Sequence, residues 1–108
     1  MRWQYNRREI MVLAWQMVKR NGMSMADAMK EAWLNAKLTV RMYDGIVKFW
    51  FQKVDGTIRE AYGTLKSELL PREGKGSRRL NDTVKVFFDT EKGEWRSYKK
   101  ANLIRIAQ

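Results

Sequence analysis

The stretch that decides the fold is residues 45–65, GIVKFWFQKVDGTIREAYGTL. Its apolar residues alternate, so that Val47, Phe49 and Phe51 share one face of a β-strand. Asp55-Gly56 follows, which is a strong sequence signal for a tight β-hairpin. Gly63 lies inside the returning strand, where a glycine indicates a β-bulge or a close approach to the backbone. The stretch therefore predicts two antiparallel strands, the second of them with a bulge or close backbone approach at Gly63, as the corner of a barrel requires.

Three further strands are predicted downstream of a long loop. Residues 83–89 and 94–98 form a second hairpin around Glu91-Lys92-Gly93, and residues 99–102 predict a single 3₁₀ turn before a fifth strand at 103–106. The loop, residues 66–82, contains the one proline of the chain and five basic residues. Loops of this length in a compact domain are usually functional or mobile.

Two helices are predicted upstream. Asn6 and Glu9 form a capping-box pattern before the first, and Ser24 is the candidate N-cap of the second. Asn21-Gly22 supplies a left-handed stop between them. Because so few residues connect the helices, they must pack against each other as a hairpin over residues 6–37.

Apolar residues follow the helical period along one side of the first helix: Ile10, Leu13, Ala14, Met17 and Val18. Met11 and Trp15 extend this apolar side. We therefore expect this helix to touch more than one neighbour.

These patterns together predict an α+β fold. A two-helix N-terminal hairpin (residues 6–37) packs on a small five-stranded antiparallel SH3-like β-barrel (residues 45–107) that carries the long loop 66–82. The chain has 108 residues, an ordinary length for one domain, and we find no repeat or linker in it. We therefore treat residues 1–108 as a single domain.

The residue composition excludes several kinds of chemistry. The chain has no cysteine and no histidine, which removes disulfides, thiolate catalysis and the commonest general base and zinc ligand. Residues 74–77, GKGS, lack the strand–loop–helix setting of a phosphate-binding loop. We predict a protein that is not an enzyme, with no catalytic residue, cofactor, metal ion or small-molecule substrate.

The N-terminus shows no signal-peptide pattern, and no apolar run approaches the ~20 residues that cross a bilayer. These features predict a cytoplasmic protein with no membrane partner. The charge is strongly positive, with 22 Lys and Arg against 12 Asp and Glu, a formal net charge of +10. Such a balance favours an anionic partner, although it also serves solubility alone.

A helix-turn-helix DNA reader is one interpretation of the helical hairpin. The residues of the second helix expected to point outward mix acids and bases and give no net attraction to phosphate: Asp27, Lys30, Glu31, Leu34, Asn35 and Lys37. We therefore favour the barrel as the binding surface.

The barrel and its loop carry the candidate binding residues. Lys48 and Trp50 alternate outward on the first strand, where a base would stack on the ring while Lys and Arg hold phosphates. The alternative is that Trp50 covers a helix of the hairpin. The full candidate set for nucleic-acid or partner binding is Lys48, Trp50, Arg59, Arg72, Lys75, Arg78, Arg79, Lys99 and Lys100.

Particular strand motifs resemble a known family. Residues 53–61 (KVDGTIREA), 63–65 (GTL) and 88–100 (FDTEKGEWRSYKK), with the leading helical segments around residues 8–15 and 23–33, are similar to small SH3-like-barrel proteins of unknown function. That family occurs in gut Bacteroidetes, their phages and their mobile elements. The resemblance covers roughly residues 6–103 and implies the fold and a bacterial or phage-infected host cell, but no activity.

Two functions remain open. The favoured one is a basic binding module for nucleic acid or a nucleoprotein complex. The alternative is a phage or mobile-element factor, comparable to an anti-CRISPR protein, that inhibits a host enzyme or defence complex through an acidic protein surface. Nucleic-acid binding predicts a steep salt dependence of affinity, whereas the alternative predicts one stoichiometric protein partner recovered after nuclease treatment.

Overall fold

A computed structural model describes residues 5–71 and 83–107. Two helices precede five strands, as the sequence predicts. The elements are α1 (Arg7–Asn21), α2 (Met25–Asp44), β1 (Val47–Gln52), β2 (Ile58–Thr64), β3 (Val84–Asp89), β4 (Glu94–Lys99) and β5 (Leu103–Ile106), with 3₁₀ turns at Ser67–Leu69 and Lys100–Asn102. Neither of the described helices combines the length and the apolar character that crossing a membrane requires.

The predicted helix start and stop signals are confirmed. The side chain of Asn6 accepts a hydrogen bond from the Glu9 N–H at 3.1 Å, and Ser24 accepts one from the Asp27 N–H at 3.1 Å. Gly22 adopts the left-handed conformation, with φ of 68°, that ends α1. The turn between the helices is therefore fixed by its own residues.

The second helix is longer than the sequence indicates. α2 continues past Lys37 to Asp44, because Leu38 and Met42, one turn apart, are completely buried against the strands. The hairpin predicted to end at residue 37 therefore ends at Asp44. Its last two turns form the face that holds the helices on the barrel.

The sheet is antiparallel with the strand order β4-β3-β2-β1-β5. β2 pairs with β1 along most of its length but with β3 only at Gly63 and Thr64. The rings of Phe51 in β1 and Tyr98 in β4 nevertheless lie 5.4 Å apart. Three strand spacings in a flat sheet would separate them by about 14 Å. The described strands therefore form an open sheet that curls strongly at Gly63.

Gly63 bends the sheet at a point with no space for a side chain. A Cβ atom there would lie 2.6 Å from Cδ2 of Phe87 and 3.0 Å from Cε1 of Phe49. The predicted close approach at this glycine is confirmed.

Two apolar cores meet along α2. One lies inside the curled sheet, around the aromatic rings of Phe49, Phe51, Phe87 and Tyr98. The other lies between the helices, where small residues of α2 let α1 approach closely: Ile10, Ala14 and Met17 pack on Ala28 and Ala32. Since α2 contributes to both cores, the hairpin is packed firmly on the sheet.

Candidate functional site

A cleft of about 690 Å³ opens at one end of the curled sheet, beside the β1–β2 turn. Phe51 and Tyr98, 5% and 4% exposed, lie at its inner wall. In the described part of the chain, the charged residues that line it are four cations and one carboxylate, namely Lys53, Arg59, Arg96, Lys99 and Asp55. We call it the barrel cleft.

A second cleft, of about 220 Å³, lies between α1 and the 3₁₀ turn that follows β4. Arg20 and Lys100 line it, together with Lys99, and within residues 5–71 and 83–107 no acidic side chain lines it. We call it the helix cleft. Because Lys99 lines both clefts, they adjoin. Among the described residues, six basic side chains and one carboxylate line the two clefts together.

Asp55, that one carboxylate, is engaged within its own turn. Its Oδ1 accepts hydrogen bonds from the Thr57 N–H at 3.0 Å and from the Thr57 hydroxyl at 2.7 Å. These bonds lower the pKa of Asp55. The carboxylate therefore fixes the hairpin tip beside Lys53.

The two arginines of the barrel cleft are held by a buried carboxylate. Asp89 is 1% exposed, and its Oδ2 lies 3.0 Å from Nη2 of Arg59 and 3.5 Å from Nε of Arg96. Its Oδ1 accepts the N–H groups of Glu91 and Lys92 at 3.0 and 3.1 Å. Arg59, a predicted binding residue, is therefore fixed in the cleft wall with its charge largely compensated.

Lys48 and Trp50 lie on the other face of the sheet, outside both clefts. The Lys48 Nζ lies 3.3 Å from Oε2 of Glu60, and hydrogen bonds to Glu60 and Tyr62 raise the pKa of Lys48. The guanidinium of Arg105 stacks on the Trp50 ring at 4.4 Å. The ring is therefore already occupied on one face by a cation.

The structure thus divides the predicted candidate residues. It brings Arg59, Lys99 and Lys100 to the adjoining clefts and leaves Lys48 and Trp50 on the outer face of the sheet. The remaining four, Arg72, Lys75, Arg78 and Arg79, lie outside the described residues. Sequence reasoning missed Arg20, Lys53 and Arg96, which reach the clefts only through tertiary packing.

Comparison with known proteins agrees with this architecture. The family described as WYL_2, Sm-like SH3 beta-barrel fold, matches residues 35–104, more than half of the chain. This chain belongs to the WYL_2 family. The predicted SH3-like barrel is thereby confirmed. No significant match was found among curated proteins or solved structures.

The WYL_2 segment contains every residue that lines the barrel cleft. It begins at Asn35 in α2, so α1 and the Arg20 side of the helix cleft lie outside it. The barrel cleft therefore lies wholly within the matched segment, and the helix cleft is completed by α1, which lies outside it.

Asn35 is a structural residue of the site that the sequence interpretation placed outward. Its amide Nδ2 donates to the backbone oxygens of Glu31 and Lys100, both at 2.9 Å. Its Oδ1 accepts from the Tyr98 hydroxyl at 2.7 Å. Asn35 therefore ties α2 to the 3₁₀ turn and to the cleft wall of this WYL_2 barrel. Its position between Ala32 and Leu38, inside an apolar stripe, was the sequence signal for a buried, hydrogen-bonded amide.

Lys85 was also missed. It lies partly buried on β3, and burial lowers its pKa to about 8, with nearby Lys100 acting in the same direction and Glu9 opposing it. Lys85 and Lys100 therefore repel each other. This cation pair adds to the positive potential beside the helix cleft.

The burial of Glu31 predicts that the stability of the folded protein depends on pH. Burial raises its pKa to about 7, a hydrogen bond to the Leu103 backbone partly offsets this, and its Oε2 lacks a hydrogen-bond partner within residues 5–71 and 83–107. The folded state therefore keeps a proton that the unfolded state releases, and this stabilisation is lost as pH rises from about 4.5 to about 7.

The variant Glu31→Gln has a neutral amide in place of the carboxyl group, so its side chain stays uncharged across this pH range. In urea unfolding at about pH 8, it should be more stable than the parent by about 1–2 kcal/mol, while near pH 4 the two should be almost equal. A constant difference between the two proteins across the pH range would show that Glu31 is not the titrating group.

Proposed function

We propose that this chain is a non-enzymatic binding module for nucleic acid, and that one strand lies across the barrel cleft and the helix cleft. The observation that supports the proposal is that Lys53, Lys99 and Arg20 line two clefts joined at Lys99. Asp55 is the one acidic residue that lines them among the residues that the structure describes. A nucleic-acid backbone presents regularly spaced phosphates, and cations placed against them release condensed counterions. The basic side chains of the two adjoining clefts can therefore contact successive phosphates of one strand.

The contribution of each cation follows from its partners. Asp89 and Glu94 together offset the charges of Arg59 and Arg96, so these two arginines shape the wall and add little net charge. Lys53 and Lys99 are exposed, and no ion pair engages either side chain in the part of the chain that the structure describes. We therefore infer that Lys53 and Lys99 make the principal phosphate contacts, with Arg20 extending the row.

The aromatic wall argues for weak sequence preference. Phe51 and Tyr98 are almost fully buried, so they offer a base an apolar edge and no open ring face. Stacking on Trp50 would take place on the opposite face of the sheet, beside Arg105. Binding governed by phosphates positions a strand but does not read its bases.

The experiment that tests the proposal is a salt titration of binding. Fluorescein-labelled single strands of DNA and of RNA, about 15 nucleotides long, and a duplex would be titrated by fluorescence anisotropy. With three to four phosphate contacts, the logarithm of the association constant should fall with the logarithm of salt with a slope of about −2 to −3 for the single strands. Absence of binding to all three probes at low salt would refute the proposed function.

A matched pair of variants tests the location. Lys53→Gln/Lys99→Gln removes two charges from the clefts, and Lys30→Gln/Lys37→Gln removes two exposed charges from α2. The first variant should weaken binding about 10- to 30-fold at low salt and reduce the slope by about 1.4, while the second should change affinity less than about threefold. An equal loss in both would mean that diffuse net charge, and not the clefts, governs binding.

A further inference from the structure

A second surface lies on α1, away from both clefts. The helix packs on α2 through Ile10, Ala14 and Met17, and its Arg20 side lines the helix cleft. Spacings of four, three and four residues place another set of side chains together on the opposite side of the helix. We call this set the outer stripe: Arg8, Val12, Trp15 and Lys19.

The centre of the outer stripe is apolar and open. Val12 and Trp15 are each 50% exposed, and neighbouring Met11 is 43% exposed. The side of a helix that faces water is normally polar, and a large exposed aromatic residue there is typical of a binding surface. The second neighbour that the sequence predicts for Met11 and Trp15 does not cover them within residues 5–71 and 83–107.

The ends of the outer stripe are positive. Arg8 lies at one end and Lys19 at the other, and Arg7 adds positive charge beside Arg8. Glu9 is the one acidic residue of α1. A complementary surface is therefore apolar in the middle and acidic at both ends.

This chemistry fits a protein better than the other anionic partners. Trp15 offers one ring face, but Met11 and Val12 beside it are aliphatic and offer neither a ring face nor a hydrogen-bond donor to a nucleic acid. Three exposed apolar side chains are few compared with the broad apolar face of a helix that lies in a lipid interface. A second copy of this chain would bring another +10 charge against the first.

We infer that the outer stripe binds an acidic amphipathic helix of another protein. Apolar residues of that helix would pack on Val12 and Trp15, and its carboxylates would pair with Arg8 and Lys19. Trp15 is the anchor, because a tryptophan at the centre of an apolar contact carries a large share of binding energy. This inference is independent of the nucleic-acid proposal, since it uses none of the residues in the clefts.

Two designed helical peptides of about 18 residues test the inference. They share one leucine face and carry either glutamate or lysine on both flanks of it. Titrated into the ¹⁵N-labelled chain, the glutamate peptide should shift the amide signals of residues 8–19 and bind more weakly as salt rises, and the lysine peptide should cause no shifts. Trp15→Ser should weaken binding of the glutamate peptide at least tenfold. Ile58→Ser, which removes a side chain that is 66% exposed on the barrel, should leave its affinity unchanged.

Three results would overturn the inference. These are equal binding of both peptides, shifts confined to residues outside α1, and binding to phosphatidylcholine–phosphatidylglycerol vesicles that depends on Trp15 while the glutamate peptide does not bind. Oligonucleotide affinity of the Trp15→Ser variant should match that of the parent. That measurement separates failure at the outer stripe from failure at the clefts.

Discussion

Replacing Asp89 with alanine should lower the free energy of unfolding by about 3–5 kcal/mol. The carboxylate is buried and accepts contacts from two arginines and two backbone N–H groups. Its removal leaves Arg59 without the carboxylate that it pairs with and leaves Arg96 paired with Glu94 alone. The β3–β4 turn loses its side-chain acceptor as well. Urea unfolding followed by tryptophan fluorescence would measure the loss.

Two further variants separate the contribution of the Asp89 charge from that of its hydrogen bonds to the turn. Asp89→Asn keeps an oxygen for the Glu91 and Lys92 N–H groups but removes the charge, so its loss should be smaller than that of alanine. In an Arg59→Met background, Asp89→Ala should lower the free energy of unfolding by less than in the parent, because the arginine that would lose its counter-charge is absent. A cost below about 1 kcal/mol for Asp89→Ala in the parent would show that the network contributes little to stability.

Replacing Gly63 with alanine should lower the free energy of unfolding by about 3 kcal/mol, because the added methyl group would overlap neighbouring atoms. Its Cβ would lie 2.6 Å from the ring of Phe87, which is completely buried and cannot swing outward. At the same position β2 pairs with both neighbours, since Gly63 lies opposite Val47 of β1 and Asp89 of β3. A shift of the Phe87 ring would therefore disturb the curl that brings Phe51 to Tyr98. Thermal or urea unfolding would measure the cost.

The chain offers a matched control for this substitution. A Cβ at Gly45 would meet no atom within 4 Å, and its φ of 170° is extended backbone that any residue adopts. Gly45→Ala should therefore change stability by less than about 0.5 kcal/mol. In a Phe87→Leu background, Gly63→Ala should cost less than in the parent. Equal costs at Gly45 and Gly63 would contradict the packing argument.

The strands were predictable because they are set by local signals. Alternating apolar residues define β1, and Asp55-Gly56 and Glu91-Lys92-Gly93 place the two hairpin turns. The end of α2 was not predictable in the same way. β-branched Thr39 and Val40 favour a strand locally, but burial of Leu38 and Met42 against the barrel outweighs that preference.

The candidate site was predictable only in part, because pairing between charges is a tertiary property. Arg59 and Asp89 are distant in sequence, and the residues around Arg59 do not predict that it faces a buried carboxylate. Lys99 was found because it lies in a basic run before the last strand. Lys53 and Arg20 were missed because their closeness to Lys99 depends on how the β1–β2 turn and α1 lie against β4.

The most direct measurement for the nucleic-acid proposal is an NMR titration of the ¹⁵N-labelled chain with an unlabelled single strand of about 15 nucleotides. We expect the largest shifts at Lys53, at Lys99 and in the 3₁₀ turn Lys100–Asn102, with the Trp50 indole signal almost unchanged. Large shifts at the Trp50 indole and at Arg105, with the residues of both clefts unmoved, would place the strand on the outer face of the sheet and contradict the account.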